Sequence, residues 1–176
     1  MPSRYRVPAG WVLGILVFAI ARPRASTLAA GLALALLGEA VRLWASGHIE
    51  KTRALATGGP YAHTRNPLYF GSLLLGLGVA VAAASPWGVG LVAFYFAAFY
   101  PRVMGEEAAF LRGKFPEDYE TWAAAVPLFL PRLSAAGPRA TRFEWERVAR
   151  NREWRSALAL PAIVALLFLR GLWPLP

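Results

Sequence analysis

The sequence predicts an all-α fold, a polytopic transmembrane helical bundle of about five spans. Three observations predict it. Hydrophobic residues make up 57% of the 176-residue chain and charged residues 16%, against roughly 45–50% and 25% in soluble domains. An uncharged run of 36 residues separates Arg65 from Arg102. Further apolar stretches, each near the ~20 residues that a membrane-crossing helix needs, lie on both sides of that run. The mean hydropathy of +0.41 excludes intrinsic disorder, and the length fits one domain covering 1–176.

The spans follow in chain order. Val7–Ala21 is short but extends through Tyr5, giving 5–21. Thr27–Ser46 is apolar except for Glu39 and Arg42. The uncharged run is too long for one helix and fits two. Ser85-Pro86, with Gly88 and Gly90 close behind, places a tight turn between spans 68–84 and 86–101. The last span, 156–173, contains Pro161 and Arg170. Residues Arg4–Ala21 also resemble a signal peptide, but no convincing small-residue cleavage site follows and another span comes at once.

Between the fourth and fifth spans the chain is polar. Glu106–Lys114 reads as a continuation of the preceding helix. Pro116 suits the first turn of a short helix, Glu117–Ala125, which Pro127, Pro131 and Gly137-Pro138 stop. Phe143–Arg155 mixes Trp145, Val148 and Trp154 with arginines, the pattern of a helix lying on anionic headgroups. Trp145 and Trp154 are expected there as interface anchors.

Charge sets an orientation. With five spans, fifteen Lys and Arg fall on one side, in the N-terminal tail, the 47–65 loop and the 102–155 segment. Only Arg22, Arg24 and Arg170 fall on the other, and Arg42 lies within a span. Cation-rich loops stay cytoplasmic. The expectation is therefore the inner membrane of a prokaryote, with the N-terminus and active face cytoplasmic and the C-terminus outside. The net charge of +9 is read as a membrane signature, and no nucleic-acid partner is expected. The sequence has no Cys, which excludes disulfides, thiolate metal sites and a cysteine nucleophile. With only His48 and His63 besides, no metal is expected.

Two clusters carry chemistry. The first runs Gly58-Gly59-Pro60-Tyr61-Ala62-His63-Thr64-Arg65-Asn66-Pro67-Leu68-Tyr69-Phe70-Gly71. The second is Glu106-Glu107 followed by Phe115-Pro116-Glu117-Asp118-Tyr119. Both sit at the cytoplasmic ends of the hairpin's two helices, so topology alone brings them together. A carboxylate pair can accept hydrogen bonds from two vicinal hydroxyls or an ammonium. Arginine and asparagine can hold a carboxylate or a base edge, and tyrosines can stack or face a cation. With no strand in sight, a Rossmann glycine fingerprint is not available.

These motifs resemble the integral-membrane methyltransferases that include isoprenylcysteine carboxyl methyltransferase and the phospholipid N-methyltransferases. That family shows a GPY…RHPxYxG or RNPxYxG stretch, an apolar hairpin, then EE…F…Y…VP. Gly76-Leu77-Gly78 is similar to the Gly-x-Gly of the phospholipid enzymes, and Val126-Pro127 matches the closing pair. The resemblance covers roughly residues 44–131; the 134–176 segment lies beyond it. Asn66 stands where the isoprenylcysteine enzymes have His.

The resemblance implies S-adenosylmethionine as methyl donor, S-adenosylhomocysteine as product, and a membrane-embedded or amphiphilic acceptor such as an isoprenylcysteine carboxylate or a phospholipid amine. It implies a cytoplasmic-side cofactor pocket capped by residues 102–133. Tyr61, Arg65, Asn66, Tyr69, Gly76, Gly78, Glu106 and Glu107 would bind the donor. Arg102 would hold an anionic acceptor, and Glu107 would act with it at the reacting end. Two other classes stay open: an NADPH-dependent membrane reductase of the sterol-reductase type, and a non-catalytic lipid-binding membrane protein.

Several residues also have plainer readings. Glu39 and Arg42, three apart on one helix face, can neutralise each other or serve the site. Gly76 and Gly78 suit close helix packing as well as a cofactor. His63 reads as a loop residue. His48 and Lys51 bracket the donor or touch headgroups.

Overall fold

The computed structural model describes residues 3–50, 54–137 and 141–172. Among them are seven α-helices and no strand: α1 (Ser3–Ala19), α2 (Ala25–Ser46), α3 (Pro67–Ala82), α4 (Pro86–Lys114), α5 (Pro116–Ala125), α6 (Trp145–Arg150) and α7 (Trp154–Leu172), with one 3₁₀ turn at Gly59–Ala62. The all-α expectation holds. Three helices, α2, α4 and α7, are long and apolar enough to cross a membrane. Helices α1 and α3 have 17 and 16 residues, about 26 and 24 Å at 1.5 Å per residue. Lys51, Arg53, Arg139 and Trp173 lie outside the described residues.

The chain divides into two compact units, residues 1–39, 73–101 and 156–176, and residues 40–72 and 102–155. The first holds most of the spans. Its buried core is Val17, Ala21, Ala80, Ala82, Ala83, Val92, Phe96 and Leu167. So many alanines mean close helix approach rather than large interlocking side chains. Trp11, Phe94, Leu158 and Phe168 point outward and are 55–73% exposed, the pattern of a surface solvated by lipid. The expected hairpin turn forms. Ala84 takes φ 52°, Ser85 Oγ accepts the Gly88 N–H at 3.0 Å, and Pro86 opens α4 where a missing N–H costs nothing.

The second unit carries the polar segments around a core of Ala45, Leu55, Tyr61, Tyr119, Trp122 and Val126. Helix α4 runs unbroken through Lys114, and α5 follows from Pro116, both as expected. The continuous helix expected over Phe143–Arg155 is corrected. Helix α6 covers only Trp145–Arg150, and Arg152 turns the backbone to φ 58° before α7 begins at Trp154. The break has a tertiary cause: the Asn151 amide donates to the carbonyls of Ser46 and Ile49 at 2.9 and 3.2 Å, fixing the chain where a helix would carry it past.

Candidate active site

The first cluster is held by a backbone zipper in the second unit. Arg65 N–H donates to Pro127 O at 2.9 Å, Arg132 N–H to His63 O at 3.0 Å, and Ala136 N–H to Ala62 O at 2.8 Å. Side chains reinforce it: Thr64 Oγ1 donates to Phe129 O at 2.7 Å and Asn66 Nδ2 to Leu128 O at 2.9 Å. The residues after Val126-Pro127 thus serve as a strap that satisfies the polar backbone of 62–66, which has no regular ladder of its own.

Beside the strap, Arg65 Nη1 donates to the Tyr119 hydroxyl at 2.9 Å. Tyr119 is 1% exposed, so the guanidinium is held by a side chain packed within the core. Arg65 Nε is buried with no hydrogen-bond partner, a costly state for a charged donor. The residue borders a cavity of about 10 Å³ lined by Arg65, Asn66, Met104, Glu107, Leu111 and Tyr119, among others. That volume is near the minimum for one water. Met104, Glu107, Ala108 and Leu111 recur at i, i+3, i+4 and i+7 and form one face of α4.

The carboxylate pair separates. Glu107 faces the cavity and accepts the Tyr69 hydroxyl at 2.9 Å. Glu106 pairs with Arg102, Nε to Oε1 at 3.3 Å, with side chains 47% and 63% exposed. Neighbouring helical residues point about 100° apart, and the two carboxylates meet different partners. Arg102 reaches Glu106 and not the cavity lining.

Of the other expected site residues, Tyr61 is 7% exposed. It packs on Trp122, whose Nε1–H donates to Tyr61 O at 2.9 Å. Burial pushes its hydroxyl well above the ordinary tyrosine range, and the negative charge of Glu107 adds to this. Gly76 and Gly78 belong to the first unit. A Cβ on Gly78 would meet the Ala35 backbone N at 2.5 Å, and one on Gly76 would meet Val92 Cγ1 at 3.2 Å. Both glycines therefore lie against neighbouring helices, the packing alternative. His63 Nδ1 bonds Arg132 O at 2.9 Å. His48 is buried, with Nδ1 on Trp44 O and its ring against Gly59, which needs φ +56°. Ser156 Oγ donates to both Glu39 oxygens at 2.7 and 2.9 Å, and Arg42 pairs with Glu153 and Ser72. Tyr119 lies within the second motif, but no signal in the sequence marks its role; its Arg65 contact depends on how α5 folds back.

The model of the family described as "Phospholipid methyltransferase" matches residues 26–118. The cobalt-zinc-cadmium resistance protein CzcN of Cupriavidus metallidurans is 37% identical over 140 residues, 74% of this chain and 63% of that protein. The nickel-cobalt-cadmium resistance protein NccN of Alcaligenes xylosoxydans xylosoxydans is 35% identical over 106 residues, 59% of this chain and 48% of its own length. The chain thus spans less than two thirds of either relative. No solved structure matches significantly. Because the family match covers just over half of the chain and contains Tyr61, Arg65, Tyr69 and Glu107, the protein belongs to the phospholipid methyltransferase family.

Proposed function

We propose that the protein is a membrane-bound methyltransferase that uses S-adenosylmethionine and acts on a lipid or lipid-like acceptor. The observation that carries this reading is one cleft lined by both Arg65, whose buried Nε has no hydrogen-bond partner, and Glu107, a cation donor and an anion acceptor together. The donor's carboxylate suits the guanidinium, and its ribose hydroxyls or ammonium suit the Glu107 carboxylate. The residues fit this group chemically. The cleft is far smaller than the 300–1,000 Å³ usual for such ligands, so the strap at Pro127–Leu128 has to yield for it to enter.

When bound, S-adenosylmethionine supplies an electrophilic methyl group for in-line transfer. The chain's part is alignment, which supplies roughly 7–11 kcal/mol in well-oriented reactions. Tyr119 orients Arg65, and Tyr69 orients Glu107. Arg102, exposed and paired with Glu106, is available to an anionic acceptor headgroup. Helices α1 and α3 complete five crossings in this reading, and the cation bias favours a cytoplasmic active face.

The names of the two relatives suggest a second reading, direct metal handling. Against it stands a sequence without Cys and with only two histidines. Among the described residues no group of three or more metal-ligating side chains occurs.

Calorimetry of S-adenosylhomocysteine with detergent-purified protein tests the proposal. Micromolar binding that Glu107→Gln loses supports it. No binding by folded wild-type protein overturns it and makes NADPH the next titrant.

A further inference from the structure

We infer that the first unit carries a second site, one that takes a phosphate group. A cavity of about 910 Å³ lies at one end of that unit, lined by the α1–α2 loop, the α3–α4 turn and the end of α7. Its lining includes Arg22, Arg24 and Arg170, together with Ser85 and Trp87, and no acidic residue. On the alternation of five spans, these three arginines are all the Lys and Arg on the cation-poor side. Orientation signals disfavour cations there, yet the three that remain are gathered around one cavity.

The walls are built rather than accidental. Arg22 N–H donates to Ala83 O at 2.8 Å, tying the first loop to the turn. Thr27 Oγ1 accepts from Arg24 N–H and donates to Arg24 O, both at 3.0 Å. A Cβ on Gly171 would lie 3.3 Å from Pro23 Cγ, so the end of α7 rests on the same loop. The backbone is pinned while the Arg22 and Arg24 guanidiniums make no hydrogen bond or ion pair among the described residues. The unit's sequence segments contain one acidic residue, Glu39, and its carboxylate accepts the Ser156 hydroxyl. No acidic residue in the lining offsets Arg22 and Arg24.

Arginine forks match phosphate oxygens in a planar, two-point geometry. A phosphate also brings the anionic charge that would pair with the Arg22 and Arg24 guanidiniums. Its source is either the headgroup of an anionic phospholipid or a free phosphate. The volume accommodates both, since it lies within the range of ordinary ligand sites.

Native mass spectrometry of the whole chain in neutral detergent tests this, with dimyristoyl-phosphatidylglycerol and inorganic phosphate as separate probes. Arg22→Gln/Arg24→Gln is compared with Arg142→Gln/Arg150→Gln, which removes the same charge from the other unit. Wild type and the control pair should bind one equivalent of a probe, and the Arg22/Arg24 variant should bind it at least tenfold more weakly. Loss with phosphatidylglycerol alone assigns the site to a lipid headgroup; loss with inorganic phosphate assigns it to a free anion. Equal losses in both double variants, or no saturable binding of either probe by wild type, overturn the proposal. Arg170→Gln, at a helix end, provides the same comparison should the double variant fail to fold.

Discussion

The Tyr69 hydroxyl donates to Glu107 Oε2 at 2.9 Å, joining α3 and α4 across 38 positions of sequence. One partner comes from each of the two clusters that the sequence singles out, and the bond holds Glu107 towards the cleft. Hydrogen bonds to charged groups contribute about 1.5–3 kcal/mol when shielded, and exposure reduces this. Tyr69→Phe should therefore weaken S-adenosylhomocysteine about tenfold, or ~1.4 kcal/mol, while Glu107→Gln abolishes measurable binding. The same titrations on Glu106→Gln should give wild-type affinity. A Glu106 loss as large as the Glu107 loss would mean that the two carboxylates do act together.

Arg65 predicts a separable pair of effects. Arg65→Lys keeps the charge but loses the two-point fork and the bond to Tyr119, and the two side chains are not interchangeable at such a site. Its affinity for S-adenosylhomocysteine should fall by tenfold or more. Tyr119→Phe leaves Arg65 in place with one fewer partner, so it should reproduce only part of that loss. In a double-mutant cycle the two changes should be non-additive. Additive losses would show that Tyr119 does not position Arg65.

Much of the fold was legible because lipid imposes simple rules. The long uncharged run, broken at Ser85-Pro86, became α3 and α4 with the turn where Pro and Gly demanded it. Pro116 opened α5 for the same kind of local reason. What escaped was written in phase and in backbone. The adjacency of Glu106 and Glu107 does not reveal that helical rotation gives them different partners, Arg102 and Tyr69. The strap from Pro127 to Ala136 closes on residues 62–66 through backbone bonds, which leave no mark in side-chain pattern. The break at Arg152 depends on Asn151 reaching carbonyls about a hundred positions away. Gly76-Leu77-Gly78 carried a signal that fits a cofactor and a helix contact equally well.

Those glycines give a third prediction. A Cβ on Gly78 would meet the Ala35 backbone N at 2.5 Å, and one on Gly31 the Ala82 backbone N at 2.3 Å. Backbone cannot move aside as a flexible side chain can. Gly78→Ala and Gly31→Ala should each destabilise by about 1–3 kcal/mol, the usual range for overpacking. Gly105, with nothing within 4 Å of its Cβ position, should gain about 0.5–1 kcal/mol as Ala. Thermal unfolding in detergent reads both. Folded Gly78→Ala should bind S-adenosylhomocysteine as wild type does; selective loss of binding at unchanged stability would return this glycine to the cofactor site.

The small cleft predicts motion. A 10 Å³ cavity admits the donor only if the strap separates from Arg65 and Asn66, breaking bonds such as Asn66 Nδ2 to Leu128 O. Amide exchange should be altered at Leu128, Phe129, Leu130 and Arg132 on adding S-adenosylhomocysteine, with little change in α7. Uniform protection across the chain would indicate general stabilisation of the fold instead.

Tyr61 supplies a prediction in alkali. Its hydroxyl is raised above the ordinary tyrosine value of 10.0, first by burial and then by the charge of Glu107. In the unfolded chain it ionises near pH 10, so above that pH the native state holds a proton that the unfolded state has released. Unfolding is then favoured as pH rises. The stability contributed by neutral Tyr61 is complete below pH 10 and is lost progressively as pH climbs towards its native value. Wild-type protein should therefore lose melting temperature above pH 10 more steeply than Tyr61→Phe, which has no proton there to lose. Parallel curves for the two proteins would show that the Tyr61 hydroxyl is solvated and not held within the core.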